Sequence, residues 1–304
     1  MITFQSMSFG YGKKPLFEGL DLDLEPGSIY GLLGLNGAGK TSFLKLAAGS
    51  LRPQGGEISV FGRDPSERSA EGLADIYFVP EDPWLPAIPP SAWIERYASF
   101  RPAFDKARFE KLLDELAIDR EKILTKYSYG QRKKFALAAA IASGARSLLL
   151  DEPTNGLDIP SKAQLRRILA ESAAPERIIV VSTHQVRDLE NILDPVIVVH
   201  GGKVLFRFSS EELGEHLFTR HLSSLEGEAV VYAERDALGW SALLAKQGRE
   251  GSLEEGESGG ADLELVFDAA IAAPERLEAA LGGRSQALGV YRPEEHEIAK
   301  EASK

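Results

Sequence analysis

Ser28-Ile29-Tyr30-Gly31-Leu32-Leu33-Gly34-Leu35-Asn36-Gly37-Ala38-Gly39-Lys40-Thr41 is an apolar run followed by a glycine loop that ends in lysine and threonine. Ser28 to Leu33 reads as a buried strand and Lys40 to Ala48 as a helix, so strand, loop and helix come in the order a phosphate-binding loop requires. Glycines at 34, 37 and 39 let the backbone approach phosphate oxygens without side-chain clash. The start of the next helix adds free amide donors and a favourable dipole. The anion is then held mostly by the backbone of Gly34, Asn36, Gly37, Ala38, Gly39 and Ser42. Lys40 is expected to reach the β and γ phosphates and the Thr41 hydroxyl to bind Mg²⁺.

Outward from this loop, short β-branched runs alternate with helical patterns from Met1 to about Arg220, which marks an α/β domain with a largely parallel sheet. Further strands are expected at Ile76 to Val79, Ser147 to Leu150, Ile178 to Ser182 and Val196 to Val199, with a last hairpin turning at Gly201-Gly202. Ser91 to Ser143 reads as helices, with Phe109, Leu112, Leu113 and Leu116 in helical spacing. It forms a helical insertion over about 88–143.

Ser147-Leu148-Leu149-Leu150-Asp151-Glu152 is an apolar strand ending in two carboxylates, where a strand end meets the glycine loop. Two acids there need two tasks. Asp151 is placed to hold Mg²⁺, and Glu152 to orient or deprotonate an attacking water.

The chain has 304 residues, enough for one large domain and a smaller one. Its 43% hydrophobic and 27% charged residues are ordinary for a folded soluble protein. The longest apolar runs, such as Val196 to Val199, fall far short of the ~20 residues a membrane helix needs. No secretion signal is evident, and the absence of cysteine fits a reducing cytoplasm. The net charge is −11, and residues 221–304 hold 17 acids and 8 bases of it, leaving 29 acids and 27 bases before them. Neither part is basic, so no nucleic-acid partner is expected.

Taken together, the glycine loop, Tyr127-Ser128-Tyr129-Gly130-Gln131, Leu148-Leu149-Leu150-Asp151-Glu152-Pro153-Thr154-Asn155-Gly156-Leu157-Asp158 and Val181-Ser182-Thr183-His184 resemble the ATP-binding subunit of an ABC transporter over about residues 1–215. The resemblance implies a P-loop ATPase fold with a helical insertion, and two such subunits pairing head to tail, each signature closing the other's nucleotide site. Ser128, Gly130 and Gln131 then face ATP held by the partner, aided by a helix starting after Gln131. His184 would contact the γ-phosphate in its own subunit, and Asp158 would support communication across the dimer. Tyr11, in Phe9-Gly10-Tyr11-Gly12, matches the aromatic that stacks on adenine, although a turn aromatic packing on the sheet is the competing reading. ATP and Mg²⁺ are the implied cofactors. A separate transmembrane permease is the implied partner, with the chain on the inner face of the cell membrane.

Two positions depart from the family pattern. Pro80-Glu81-Asp82 stands where glutamine is usual, and Glu81 keeps a carboxylate able to bind Mg²⁺ or water. Tyr129 stands where glycine is usual, and its side chain fits only if it points away from phosphate. Trp84, in Pro83-Trp84-Leu85-Pro86, reads equally as a docking anchor for a membrane subunit or as core of the insertion. Ser99 to Asp105 and Lys126 to Ser128 look most similar to ATPases of ABC-2 type, exporter-like systems. A soluble, non-transport ABC ATPase and a weakly hydrolysing ATP sensor are the alternative functions.

Residues 221–304 are expected to form a small acidic α/β accessory domain. Ser209 to Ser224 reads as polar and helical. Glu228 to Glu234, Asp262 to Asp268 and Ala287 to Tyr291 read as strands, Leu238 to Gln247 and Pro274 to Leu281 as helices, and Gly248 to Gly260 as a mobile loop.

Overall fold

The computed structural model describes residues 1–246 and 260–282. Elements are numbered in chain order. Three strands of the glycine-loop half form an antiparallel sheet: β1 (Ile2–Tyr11), β2 (Lys14–Leu24) and β4 (Gly55–Val60), in the order β2-β1-β4. Between them in sequence come β3 (Ile29–Leu33) and helix α1 (Lys40–Ala47). Short helix α2 (Ala70–Asp75) leads into β5 (Ile76–Val79), and then follow α3 (Pro90–Tyr97), α4 (Lys106–Glu115) and α5 (Tyr129–Ala142). The α/β part continues with β6 (Ser147–Asp151), α6 (Ile159–Glu171), β7 (Ile178–Thr183), β8 (Val196–His200) and β9 (Lys203–Phe208).

β5, β6, β7, β3, β8 and β9 form one sheet in that order, parallel throughout except for the closing β8-β9 hairpin. Its central strands β3, β6 and β7 are buried at every position, as expected for strands covered on both faces. One face packs against α1 and the antiparallel sheet, with Phe4 and Phe43 stacked at 4.5 Å. The other face carries the helical insertion, whose centre is aromatic: Trp93 lies 5.7 Å from Phe109, and Phe109 meets Phe135 edge-on at 5.7 Å. The sheet strands expected from sequence are all present. The N-terminal antiparallel sheet was not anticipated. Its strands bend at register shifts along β1, which breaks the strict two-residue alternation by which half-buried strands are recognised.

After β9 come α7 (Ser210–His216), β10 (Leu217–Leu222), β11 (Val230–Arg235), β12 (Trp240–Ala245), α8 (Leu263–Ala272) and α9 (Pro274–Ala280). β10, β12 and β11 form an antiparallel sheet with β12 central. Three expectations are reversed here. The helix expected over Leu238 to Gln247 is β12. Asp236 accepts hydrogen bonds from the Leu238 and Gly239 amides, which makes a tight turn, and pairing on both sides then overrides the helix preference of Ala and Leu. The strand expected over Asp262 to Asp268 is α8. The Asp262 carboxylate caps it through the Glu264 and Leu265 amides, and a short continuous apolar run is ambiguous between buried helix and buried strand. The helical reading of Ser209 to Ser224 holds only through His216, after which β10 pairs with β12. The loop expected at Gly248 to Gly260 lies, but for Gly260, outside the described residues, as does the strand expected at Ala287 to Tyr291.

Among the described residues no helix is long and apolar enough to cross a membrane.

Candidate nucleotide site

Neighbouring strands β6, β7 and β3 end at the same edge of the sheet, with Asp151 paired to Ser182 and Leu33 to Thr183. That alignment gathers three motifs far apart in sequence. β3 releases the glycine loop, β6 delivers Asp151 and Glu152, and β7 delivers His184. Gly39 begins α1 at φ 106, a conformation that favours glycine, and a Cβ there would meet Phe17 at 2.8 Å.

The side chains meet closely. The Thr41 hydroxyl donates to Asp151 Oδ2 at 2.7 Å, and Ser182 donates to Asp151 Oδ1 at 2.7 Å. Lys40 Nζ donates to the Gly34 carbonyl at 2.7 Å and lies 3.4 Å from Glu152 Oε1. His184 Nδ1 is 2.9 Å from the same Glu152 oxygen. Lys40, Asp151 and Glu152 are all buried, so their charges interact more strongly than in water. Glu152 has φ 46, in the left-handed region, and such a backbone persists only where the surroundings enforce it.

An open cleft of about 520 Å³ lies over the loop, lined by Leu35 to Ser42 together with Tyr11, Glu81 and Glu152. Tyr11 is 57% exposed and lines the cleft, with its hydroxyl 3.0 Å from Ser42 Oγ. Thr41 and Asp151 offer two hard oxygens side by side, the donor type Mg²⁺ takes when phosphate and water complete its shell. That donor set fits the ion. Among the described residues no cluster of three or more His, Cys, Asp or Glu side chains forms a dedicated metal cage.

Ser128, Gly130, Gln131, Asp158 and His184 do not line this cleft. Ser128 is the N-cap of α5: its hydroxyl accepts from the Gln131 amide, and Gln131 Oε1 accepts from the Ser128 amide. The helix therefore begins at Tyr129, within the signature, and not after Gln131 as expected. Asp158 caps α6 through the Ser161 amide, and hydrogen bonds from the Ser161 hydroxyl and then its amide lower the Asp158 pKa. Tyr129 is directed onto its own chain. Its hydroxyl donates to the Glu81 carbonyl at 3.0 Å, and its ring fills the space beside Gly156, where a Cβ would come within 2.6 Å of it. Glu81 Oε1 accepts from Asn155 Nδ2 at 2.6 Å. Trp84 is 80% exposed, and Trp93 fills the core of the insertion in its place.

Two contributors escaped the sequence reading. Ser182 was legible in principle, being a hydroxyl within an apolar strand. Lys133, buried on α5 with Nζ donating to the backbone carbonyls of Glu152 and Asn155, was not, because one lysine of the pair Lys133-Lys134 looks like the other in sequence.

A glycine loop open to a cleft, with paired carboxylates and a histidine at the carboxyl ends of a parallel sheet, defines a P-loop nucleotide-triphosphate-binding protein. The family model described as ABC transporter matches residues 17–155. The chain is 31% identical over 236 residues to the bacitracin transport ATP-binding protein BcrA of Bacillus licheniformis, covering 74% of this chain and 76% of that protein. It is 29% identical to the daunorubicin/doxorubicin resistance ATP-binding protein DrrA of Streptomyces peucetius, covering 73% and 69%. Its fold matches a dimeric ATP-binding cassette in a post-hydrolysis state bound to ADP and Pi, with TM-score 0.60, 19% identity and 69% and 98% of the two chains covered. The chain belongs to the ABC transporter ATP-binding family.

Proposed function

We propose that this chain is the ATP-hydrolysing subunit of an exporter, working through separate membrane subunits. The observation that carries the reading is the convergence of Lys40, Thr41, Asp151, Glu152 and His184 where β3, β7 and β6 end together. The names of BcrA and DrrA, one a transport and the other a resistance ATP-binding protein, support the export direction.

In this reading the loop amides and Lys40 hold the phosphates of ATP, and Tyr11 stacks on adenine. Thr41 and Asp151, with Glu81 lining the same cleft, would hold Mg²⁺, which would supply positive charge against the phosphates. Glu152 accepts the proton of the attacking water, and His184 holds both Glu152 and the γ-phosphate in register. Ser128, Gly130 and Gln131 serve the ATP of a second copy, Asp158 links the two sites, and ATP-driven closure of the pair is the work-producing change.

Residues 1–220 act as the ATP-binding domain and 221–304 as an accessory domain, although β10 begins at Leu217, ahead of that boundary. The chain sits on the inner face of the membrane, and exposed Trp84 serves as the anchor for the membrane subunit.

Steady-state hydrolysis of Mg²⁺-ATP, with and without the co-purifying membrane subunit, tests the reading. Turnover that rises with the membrane subunit is expected. Binding of ATP without turnover in either condition leaves a sensor instead. Trp84→Ala is expected to keep basal turnover and lose the membrane subunit, and retention of that subunit would remove the anchor.

A further inference from the structure

Lys133 is a buried cation that the mechanism above does not use. It lies on α5, five positions beyond the cap Ser128, and is 4% exposed. Burying an ammonium group is costly unless its donors are satisfied. Here Nζ donates to the backbone carbonyl of Glu152 and, at 2.9 Å, to that of Asn155. The Tyr129 ring, one turn earlier on the same helix, lies 5.0 Å from Nζ and adds a cation–π contact. Burial lowers the pKa of Lys133 to about 8, against the opposing pull of Glu81, Glu152, Asp151 and Asp82.

The acceptor is significant because Glu152 holds the left-handed backbone noted above. Its amide is fixed by Ser182, through the carbonyl at 3.1 Å and Oγ at 3.0 Å. Its carbonyl is fixed by Lys133. The first anchor belongs to β7, inside the sheet. The second belongs to the helix that begins in the signature.

We propose that Lys133 is a positioning residue that ties the orientation of Glu152 to the placement of the signature helix in the same chain. A shift of α5 moves Nζ, Nζ moves the Glu152 carbonyl, and the carboxylate on that backbone changes its aim at the attacking water. The signature that serves a second copy's ATP thereby sets how well its own chain hydrolyses. This rests on the reading of Glu152 as the base.

The test compares Lys133→Met, which keeps length and loses the donors, with Lys133→Arg, which keeps the charge. Both are measured for kcat, for affinity toward a fluorescent ATP analogue and for thermal unfolding. The expected result for Lys133→Met is a fall in kcat of roughly 10- to 50-fold with analogue affinity within about 2-fold of the parent, and partial recovery in Lys133→Arg. In the Glu152→Gln background Lys133→Met should cause no further loss, because it acts through Glu152. A kcat within about 2-fold of the parent overturns the proposal, as does a fall in kcat matched by an equal fall in affinity. So does a further loss in the Glu152→Gln background. If Lys133→Met does not fold, Lys133→Leu, which likewise has no donor, is held to the same criteria. Full turnover in Glu152→Gln alone defeats the base assignment separately from the link to Lys133.

Discussion

The glycine-loop end and the signature end of this chain are built on opposite plans. At the glycine loop, functional groups from distant stretches of the chain bond to one another: Thr41 to Asp151 and Lys40 to Glu152 across more than a hundred residues, and His184 to the same Glu152 oxygen from 32 residues on. At the signature, Ser128 and Gln131 bond to each other across one helix turn, and neither lines the cleft over the loop. The first end is an assembled pocket. The second is a capped helix start with Ser128 exposed, the form expected of a surface that meets its ligand on another molecule.

If that contrast holds, substitutions at the two ends fail in different ways. Glu152→Gln keeps a hydrogen-bonding group of the same size and removes the proposed base, so ATP binding is expected to be retained while turnover falls by about 10²- to 10⁴-fold in a phosphate-release assay. Lys40→Ala removes a charged contact to phosphate worth about 1.5–3 kcal/mol, so ATP affinity measured by titration falls by roughly 10- to 100-fold. Ser128→Ala should leave ATP affinity of the isolated chain unchanged. It costs the cap of α5, about 1 kcal/mol in denaturant unfolding. An affinity loss in Ser128→Ala as large as in Lys40→Ala would merge the two ends into one pocket.

The smallest effect belongs to the C-terminal part. Burial and the carboxylates of Glu234, Glu264 and Asp262 raise Asp268 to about 6. A raised carboxyl pKa favours the fold while the group is protonated in both states, and that contribution is lost as pH climbs through 6. Asp268→Asn should therefore raise stability by about 1 kcal/mol at pH 7.5, after allowance for solvent screening, and change nothing near pH 4. Equal shifts in thermal midpoint at both pH values would show that the acidic surroundings do not act on Asp268.

The glycine-loop end was the legible part because its chemistry depends on residue types at fixed spacing next to a strand. Lys40, Thr41, Asp151 and Glu152 meet wherever a parallel sheet aligns its strand ends. What escaped depends on tertiary placement. Tyr129 fits the signature only by pointing away from phosphate, and what receives it is Gly156 and the Glu81 carbonyl, 27 and 48 residues away. Trp84 was read evenly between surface and core, and only the presence of Trp93 in that core decides it. In the C-terminal part, Trp240 to Ala245 and Leu263 to Ala272 are both short apolar runs. Their strand and helix states were decided by a turn at Asp236 and a cap at Asp262, not by periodicity.

The most direct test is the molar mass of the Glu152→Gln chain by light scattering, with and without Mg²⁺-ATP. The account predicts a mass near 33.1 kDa without nucleotide and about twice that with it, as two glycine loops and two signatures close on two ATP molecules. A mass that stays at 33.1 kDa in saturating Mg²⁺-ATP would contradict it.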